Sequence, residues 1–393
     1  MKTIDVISFF TPYHENIRGI SALIYYLIKF RPSTIKLKLY TFNANNLSTD
    51  EINVVSKELG IQIVCVDLPK WYVFLVKFKL DGKINLIFPY SMYMHIHINK
   101  HYKNIISSDK SDALWIYPYI LFGQISEFKS KQIIISGCDS NYLYFDRLSK
   151  KISEKWLKKI ANNLRKQQAK NIEKWISTHN CKFHLVGNND LKSYKKITSQ
   201  DNAFYAKHPH YNVLEKIIKF DCNKMKVLLA GSNDIYMEDG AKEIIFELVK
   251  NAEILSKLID ITFLGKGWNE YVEILKNEGY QVNLLSWVDN YLEEIIKYDI
   301  QLIPISLGTG TKGKVLDAMS NGLLCIGTYY AFENIAEDGK GVVLYNDSKQ
   351  ITSIIKDIHN NMPLYEKIAE EGRARVLLEH NPYSCSELFF NNF

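Results

Sequence analysis

The sequence of 393 residues lacks any apolar run approaching the roughly 20 residues that a membrane-spanning helix needs. It also lacks an N-terminal signal-peptide pattern, because residues 4–10 already have the composition of a β-strand. Only six cysteines are present, and no two of them form a C-x-x-C pair. We therefore expect a cytoplasmic protein whose thiols are reduced and form neither a disulfide framework nor a zinc site.

Patterns typical of metal binding are missing as well. The sequence contains no Asp-x-Asp pair, which would supply two carboxylates to a divalent cation. The histidine pairs, such as His208 and His210, have no carboxylate partners at a useful spacing. We expect no metal cofactor.

The length and the composition fit a globular protein with two domains. Hydrophobic residues make up 47% of the chain and charged residues 23%. Strand-like and helix-like segments alternate throughout, which predicts parallel sheets joined by right-handed crossovers, and hence two doubly wound Rossmann-like α/β domains. The predicted strands span residues 4–10, 36–42, 62–66, 113–117, 132–136, 183–186, 203–206, 225–230, 259–264, 281–285, 300–305, 323–328 and 341–345.

Positive charge is concentrated in residues 147–174, which contain ten basic residues and two acidic ones, although the whole chain has a net charge of only +6. No nucleic-acid-binding module accompanies this charge, so we do not expect nucleic acid as a partner. The segment is either a solvated face above a packed apolar stripe, or a helix that faces an anionic membrane surface and leaves the protein peripheral on the membrane's inner face. The apolar stripe recurs every four residues: Leu148, Ile152, Trp156, Ile160 and Leu164.

Two further segments, residues 71–78 and 88–93, are rich in aromatic rings. The rings either pack within the core or form a hydrophobic edge for a lipid-linked substrate.

Residues 304–319 are the most informative stretch, with the sequence PISLGTGTKGKVLDAM. A buried strand, residues 300–305, leads into a glycine-rich loop and then into a helix that starts near Thr311 and ends at Asn321-Gly322. Amide groups at a helix N-terminus have no intrahelical partner, and glycine lets an anion approach the backbone. This stretch therefore predicts a phosphate site.

Charged side chains in the same helix support that prediction. Lys312 and Lys314 add positive charge beside the loop. Asp317 lies three residues after Lys314, on the same helix face, where its carboxylate could accept hydrogen bonds from sugar hydroxyls. Alternatively, Lys314 and Asp317 form a surface ion pair beside an ordinary loop.

Several other glycine-rich turns also follow predicted strands. Gly231, Gly265, Trp287 and the loop 308–314 all lie at the carboxyl ends of strands, where doubly wound folds collect their ligands. We expect them to converge on one site.

From Lys226 onward the chain resembles a retaining, family-4-like glycosyltransferase of the GT-B architecture. Four blocks carry the resemblance in the same order and spacing: residues 227–232, 262–267, 287–290 and 304–328. The resemblance implies two Rossmann-like domains facing a central cleft. It also implies transfer of a sugar, with retention and without a metal, from a UDP- or GDP-linked donor to a glycan or lipid-linked acceptor in bacterial surface polysaccharide assembly.

The resemblance further implies domain boundaries. Residues 1–210 would form an acceptor-binding domain, and residues 211–380 a domain that binds the nucleotide sugar. Residues 381–393 would cross back to the N-terminal domain.

The resemblance also implies residue roles in the C-terminal half. Lys314 would neutralise the diphosphate, Asp317 would take the place of the usual glutamate on the ribose, and Val288 would lie beside the base. Lys312 stands where the family often has arginine. The donor-binding candidates are Gly231, Ser232, Asn233, Gly265, Trp287, Val288, Gly308, Thr309, Gly310, Thr311, Lys312, Lys314 and Asp317.

In the N-terminal half, the loop that contains Asp139 corresponds to the place where relatives keep a polar residue near the transferred sugar. Asp139 is therefore a second candidate catalytic residue beside Lys314, with a loop-capping role as the alternative. Gly19 is the candidate for approaching the donor phosphates, and His14 and Arg18 are candidates on the acceptor side.

The sequence departs from the family pattern at Thr309, where many relatives have a glutamate, and at Leu324-Cys325, where a Pro-Val pair is usual. Two other functions therefore stay open. The chain could be a non-catalytic partner of another glycosyltransferase, or an epimerase-like enzyme that acts on a free sugar nucleotide.

Overall fold

The computed structural model describes residues 1–16, 20–129, 131–151, 156–210 and 213–393. The chain forms two compact units. Unit 1 comprises Met1–Pro209 together with Pro382–Phe393, and unit 2 comprises His210–Asn381.

The sheet of unit 1 has seven parallel strands. They are β1 (Lys2–Ser8), β2 (Ile35–Thr41), β3 (Gln62–Cys65), β4 (Ala113–Tyr117), β5 (Gln132–Ser136), β6 (Lys182–Leu185) and β7 (Ala203–Tyr205). Their spatial order is β3-β2-β1-β4-β5-β6-β7. The chain therefore builds outward on both sides of β1, and the order of the strands reverses between β1 and β4.

Eight α-helices and two 3₁₀ helices connect these strands in the described residues of the first 209. A capping box starts the second helix: Ser48 N–H donates to the Glu51 carboxylate (2.7 Å), and Glu51 N–H donates to Ser48 Oγ (3.3 Å). The α-helices are α1 (Ala22–Lys29), α2 (Thr49–Leu59), α3 (Lys70–Lys77), α4 (Asp81–Asn85), α5 (Lys100–Ser108), α6 (Asn141–Ser149), α7 (Trp156–Ser177) and α8 (Asn188–Thr198), and the 3₁₀ helices span Met92–His95 and Tyr119–Glu127.

A C-terminal helix, Pro382–Phe390, also belongs to unit 1. Its Phe389 packs against Trp115 of β4, with ring centroids 4.6 Å apart, and both side chains are fully buried. Burial of two large aromatic side chains stabilises this attachment.

The basic segment 147–174 is divided between α6 and α7, and its residues Ile152 and Glu154 lie outside the described residues. Leu148 of α6 is buried, but Trp156, Ile160 and Leu164 of α7 are exposed. The interpretation of a packed apolar stripe is therefore wrong for α7.

The ring-rich segment 71–78 forms α3 and one following residue. Tyr72 is buried in the core of unit 1, whereas Trp71, Phe74 and Phe78 are exposed. The interpretation that these rings pack within the core therefore holds for Tyr72, but not for the three exposed rings. In the second ring-rich segment Tyr93 is partly buried against the core.

Unit 2 contains six parallel strands in the order β10-β9-β8-β11-β12-β13, with a reversal between β8 and β11. The strands are β8 (Met225–Ala230), β9 (Ile259–Leu264), β10 (Val282–Leu285), β11 (Ile300–Ile303), β12 (Leu324–Gly327) and β13 (Val343–Leu344). The helices are α9 (Glu238–Lys250), α10 (Ala252–Leu255), α11 (Asn269–Asn277), α12 (Tyr291–Ile295), α13 (Gly313–Ser320), α14 (Tyr329–Phe332), α15 (Gln350–Asn360) and α16 (Met362–Glu379).

Both sheets confirm the prediction of two doubly wound parallel domains, but two boundaries around the glycine-rich loop differ. Strand β11 ends at Ile303 rather than at residue 305, and α13 begins at Gly313 rather than near Thr311. The predicted end is close: Asn321 is the C-cap, and Gly322 follows with φ +79°.

All six cysteines are free thiols.

In the described ranges, every helix is too short or too polar to span a bilayer.

Candidate functional site

The loops that follow β8 and β11 lie side by side, at the point where the strand order of unit 2 reverses. Ser306 N–H donates to the carbonyl of Tyr236 (3.0 Å), which joins the two loops. A Cβ atom placed on Gly240 would lie 2.3 Å from the carbonyl oxygen of Pro304, so α9 packs directly against the start of the second loop. Ligands of doubly wound folds bind at such reversal points.

Two glycines, one after β8 and one after β9, allow the turns at these strand ends to approach each other. Gly231 has φ +125° and Gly265 has φ +143°, both in the region that favours glycine. A Cβ atom on Gly265 would lie 2.3 Å from the carbonyl oxygen of Gly231, and that oxygen also accepts a hydrogen bond from Trp268 Nε1 (2.8 Å). The two strand ends are therefore held close together, as the sequence predicts.

The N-terminus of α13 faces this turn without a cap from a side chain. Lys312 occupies the N-cap position, but its side chain makes no capping hydrogen bond. The N–H groups of Val315 and Leu316 donate to the carbonyl of Lys312 (3.0 and 3.2 Å), so the amides of Gly313 and Lys314 are the ones left for a ligand at this terminus, where the helix dipole favours an anion.

The side chain of Lys312 forms hydrogen bonds with the loop that precedes α13. Its ammonium donates to the carbonyls of Thr309 (3.1 Å) and Gly310 (2.9 Å) and pairs with the fully buried Glu333 at 3.4 Å. In a trans peptide the C=O and N–H groups point in opposite directions, so this arrangement turns the amides of Gly310 and Thr311 away from Lys312. Lys312 thereby shapes an amide-lined loop.

Lys314 is the lysine that reaches the turn after β8. Its Cδ atom lies 3.9 Å from the position that a Cβ atom on Gly231 would occupy. Lys314 is exposed as a residue, and its ammonium lies over the ring of Tyr291, 4.9 Å from the centroid. Burial lowers the pKa of Lys314, while Asp317 and Asp234 oppose that shift.

Asp317 lies behind Lys314 and contacts a histidine. His210 Nδ1 is 3.8 Å from Asp317 Oδ1, and His210 Nε2 is 2.7 Å from Ser320 Oγ. Burial raises the pKa of Asp317 to about 7, and Lys314 acts in the opposite direction. The carboxyl group can accept a hydrogen bond from a hydroxyl in either protonation state.

The remaining candidates of unit 2 lie in the loops that follow β8, β10 and β11. Asn233 N–H donates to the carbonyl of Lys266 (2.9 Å), and the neighbouring Ser232 is exposed. Trp287 is exposed and Val288 is half-buried in the segment between β10 and α12. Gly308 (φ +135°) and Gly310 (φ +68°) allow the close turn of the loop, and Thr309 is half-buried.

Unit 1 has an aromatic cavity of about 540 Å³ at the carboxyl ends of β1, β4 and β5. Asp139 and Asn141 supply polar groups to its lining. A smaller cavity of about 190 Å³ adjoins it, because Tyr93, Tyr119, Ile120 and Asn141 line both. The aromatic walls of the larger cavity are Phe9, Phe10, Tyr72, Tyr93 and Tyr119.

Two buried carboxyl groups support the loop that carries Asp139. Ser140 N–H donates to Asp190 Oδ1 (2.8 Å), while Ser140 Oγ and Tyr142 N–H donate to Glu173 Oε1 (2.9 and 3.1 Å). Burial raises the pKa of Glu173 to about 7, and these two hydrogen bonds oppose the shift.

Of the three acceptor-side candidates, only His14 lies in the described residues. His14 is exposed, lies beside Glu15 and is not among the described residues that line the aromatic cavity. Arg18 and Gly19 lie outside the described residues.

Sequence reasoning missed Tyr291, Glu333 and Glu173. Tyr291 follows the carboxyl end of β10, as Trp287 does. Because doubly wound folds bind ligands at the carboxyl ends of strands, the sequence could have indicated Tyr291 as well. Glu333 lies 21 positions after its partner Lys312 and carries no local spacing signal. Across the described ranges, no three His, Cys, Asp or Glu side chains are placed to hold a metal ion together.

Residues 224–361 match the family described as Glycosyl transferases group 1. No curated protein sequence matches the chain.

Solved structures with the same fold are similar over nearly the whole chain. HepE from Anabaena, in complex with UDP, has a TM-score of 0.63 at 10% identity and covers 100% of this chain and 99% of its own. An S. aureus TarM mutant in complex with fondaparinux, alpha-GlcNAc-glycerol and UDP has a TM-score of 0.65 at 10% identity, with coverages of 100% and 99%. WaaG, a glycosyltransferase involved in lipopolysaccharide biosynthesis, has a TM-score of 0.59 at 12% identity, with coverages of 98% and 99%.

These similarities confirm the GT-B fold, and the family match covers the part of the chain that contains the glycine-rich loop, Lys314 and Asp317. The chain thus has the GT-B fold, and its residues 224–361 match the family described as Glycosyl transferases group 1.

Proposed function

We propose that the protein transfers a sugar, with retention, from a UDP- or GDP-linked donor to a glycan or lipid-linked acceptor in bacterial surface polysaccharide assembly. One observation carries the proposal: the side chain of Lys314 and the N-terminus of α13, which has no side-chain cap, lie at the reversal point between β8 and β11. Such a place suits a diphosphate.

Stabilisation of the leaving group is the main chemical task. As the sugar–phosphate bond breaks, negative charge grows on the nucleoside diphosphate, and fixed donors aimed at that charge lower the barrier. Lys314 supplies a full charge and the first amides of α13 supply partial charges. Lys312 contributes indirectly, since it holds the loop carbonyls away from the ligand.

The nucleoside would be held by the residues around this centre. Asp317 is one turn of α13 from Lys314 and would accept hydrogen bonds from the ribose hydroxyls. The segment containing Trp287 and Val288 would lie along the base.

The aromatic cavity of unit 1 is the proposed acceptor and sugar site. Aromatic rings give a sugar ring apolar faces to pack against, and Asp139 and Asn141 supply hydrogen-bonding groups. The acceptor hydroxyl would attack from the face that the diphosphate leaves, and a phosphate oxygen would take its proton. Asp139 would orient the transferred sugar.

The structural neighbours support the choice of substrates. HepE binds UDP, the TarM mutant binds UDP together with carbohydrate ligands, and WaaG acts in lipopolysaccharide biosynthesis. We also propose that this protein needs no metal, and that it meets its acceptor at the inner face of the membrane.

A thermal-shift screen against UDP, GDP, ADP and CMP tests nucleotide binding, because a ligand that binds only the folded state raises its stability. We expect UDP or GDP to raise Tm in the wild type and not in Lys314→Ala. The matched control is Lys242→Ala, which removes an exposed lysine of α9. Absence of a shift with every nucleotide would contradict the proposal.

A second assay distinguishes a transferase from a non-catalytic partner and from an epimerase. It measures the release of nucleoside diphosphate from UDP- and GDP-sugars, with and without glycan acceptors. Nucleotide binding without release or transfer would favour a non-catalytic partner, which the threonine at position 309 would fit. Conversion of the free sugar nucleotide without an acceptor would favour an epimerase.

A further inference from the structure

Unit 1 exposes a group of large apolar side chains on two helices and on the segment between them. Side chains of this size are normally buried, and a contiguous exposed group of them marks an interaction site. Among the exposed ones are Phe74 (57%), Phe78 (55%), Ile87 (79%), Trp156 (69%), Leu157 (62%) and Ile160 (49%).

Hydrogen bonds show that the segment around Ile87 borders α7. Gln168 Nε2 donates to the carbonyls of Asn85 (2.7 Å) and Phe88 (2.9 Å), and Asn171 Nδ2 donates to the carbonyl of Pro89 (2.9 Å). Residues 85–89 therefore cover the face of α7 that Gln168 and Asn171 share.

The same face of α7 continues towards its N-terminus. Positions 157, 160, 164, 168 and 171 are spaced by three or four residues and so lie on one side of the helix. Segment 85–89 covers this side at its C-terminal end, whereas Leu157, Ile160 and Leu164 remain exposed beyond it. The apolar residues of segment 85–89 and of α7 are thus neighbours, and α3 leads into that segment through α4.

Lysines flank these apolar residues on both helices. Residues 70–79 contain three lysines and no acid, and residues 156–172 contain only basic charged residues, among them Lys158 and Lys159. Long apolar side chains together with lysines match a bilayer with anionic headgroups, because the former enter the acyl boundary and the latter meet phosphate groups. A second copy packed on this face would bring lysines opposite lysines.

We propose that α3, residues 87–88 and the first turns of α7 form a membrane-docking surface for a leaflet with anionic headgroups. Lipid-linked acceptors are presented at such a leaflet, and in this respect the inference rests on the proposed function. The apolar side chains insert and the lysines provide preference for anionic lipid.

The test uses the full-length chain and vesicles of phosphatidylcholine, with or without phosphatidylglycerol, in a co-sedimentation assay. We expect binding to the phosphatidylglycerol vesicles, a blue shift of tryptophan emission on binding, and release at high salt. Trp156→Glu combined with Phe74→Glu, and separately Lys158→Glu combined with Lys159→Glu, should each weaken binding at least ~10-fold.

A matched control is Phe246→Glu, which changes an exposed phenylalanine of unit 2 (65% exposed) and should leave vesicle binding unchanged. Far-UV circular dichroism and Tm establish that every variant is folded. Equal vesicle binding by the wild type and the α3/α7 variants, or no binding by the wild type, would overturn the proposal. Conversion of a dimer to a monomer by the Phe74→Glu pair, with vesicle binding unchanged, would assign the surface to self-association instead.

Nucleotide binding separates this inference from the proposed function. The surface variants should keep the thermal shift with UDP or GDP, since none of the changed residues lies in unit 2. Vesicle binding without any nucleotide response would overturn the proposed function and leave the docking surface standing.

Discussion

The ammonium of Lys314 lies over the ring of Tyr291, 4.9 Å from the ring centroid. The face of an aromatic ring attracts a cation, so the ring favours the charged lysine where burial alone would disfavour it. This contact places the side chain of Lys314 beside the turn at Gly231. A charge that is positioned in advance needs little rearrangement during a reaction.

Lys314→Ala should lower sugar transfer at least ~100-fold, because loss of one charge that stabilises a leaving group costs roughly 3 kcal/mol. The measurement is kcat/KM with the donor identified by the thermal-shift screen. Lys242→Ala should retain wild-type activity. Wild-type turnover by Lys314→Ala would show that this lysine does not stabilise the leaving diphosphate.

Substitutions of Tyr291 separate its ring from its hydroxyl group. The hydroxyl is buried and makes no hydrogen bond within the described residues, so Tyr291→Phe should behave like the wild type. Tyr291→Leu removes the cation–π contact, worth about 0.5–2 kcal/mol, and should raise KM for the donor several-fold.

A pH profile adds a readout that simple misfolding would not produce. The ring favours charged Lys314, so its loss should move the alkaline limb of kcat/KM to lower pH. Identical profiles for Tyr291→Phe and Tyr291→Leu would show that the ring has no such effect.

The buried pair of Lys312 and Glu333 should contribute to stability rather than only to binding. Glu333→Gln or Lys312→Met would leave one buried charge without its ionic partner, which typically costs about 3–5 kcal/mol. Urea unfolding should show this loss for each single variant and a smaller loss for the double variant. If Lys312→Met weakens nucleotide binding at unchanged stability, Lys312 acts as a direct phosphate ligand.

Alternation of strands and helices was sufficient to predict both sheets, because a parallel sheet requires a crossover between successive strands. The same pattern placed Gly231, Gly265 and the glycine-rich loop at strand ends, where the structure has them. Boundaries were less predictable: Thr311 lies outside α13, since the loop closes through Lys312 and the helix starts at Gly313.

Long-range pairs were not predictable from local spacing. Two helices and a strand separate Glu333 from Lys312 in the sequence, and Glu173 reaches Ser140 from a different helix. The four-residue periodicity predicted one amphipathic helix across residues 147–174, but the structure divides this segment between α6 and α7. The periodicity could not indicate whether another element covers the apolar face, which depends on the tertiary arrangement.

Glu173 should make unit 1 less stable as pH rises. Its pKa is raised to about 7 in the folded protein from an ordinary value of 4.5, so between these values the folded state binds more protons than the unfolded state. The free energy of unfolding should therefore fall as pH rises through this window.

Glu173→Gln keeps an oxygen that accepts the bonds from Ser140 and Tyr142, and it should flatten the decline in stability with pH. Thermal unfolding of the wild type, of Glu173→Gln and of the exposed control Glu270→Gln between about pH 4.5 and 8 measures this difference. The same slope in all three proteins would contradict the prediction.

Chelation of divalent cations should leave transfer unchanged. The proposed mechanism assigns the neutralisation of the diphosphate to Lys314 and to the amides of α13, and the sequence has no Asp-x-Asp pair. Activity measured with EDTA, and then with added Mg²⁺ or Mn²⁺, checks this. Abolition by EDTA with recovery on metal addition would contradict a metal-independent reaction.

A crystal structure of the protein with UDP or GDP bound would show where the diphosphate lies. We expect the diphosphate to contact the ammonium of Lys314 and the first amides of α13, with the ribose hydroxyls at Asp317. A diphosphate bound away from the β8–β11 reversal point, with Lys314 still over Tyr291 and contacting no phosphate, would contradict this expectation.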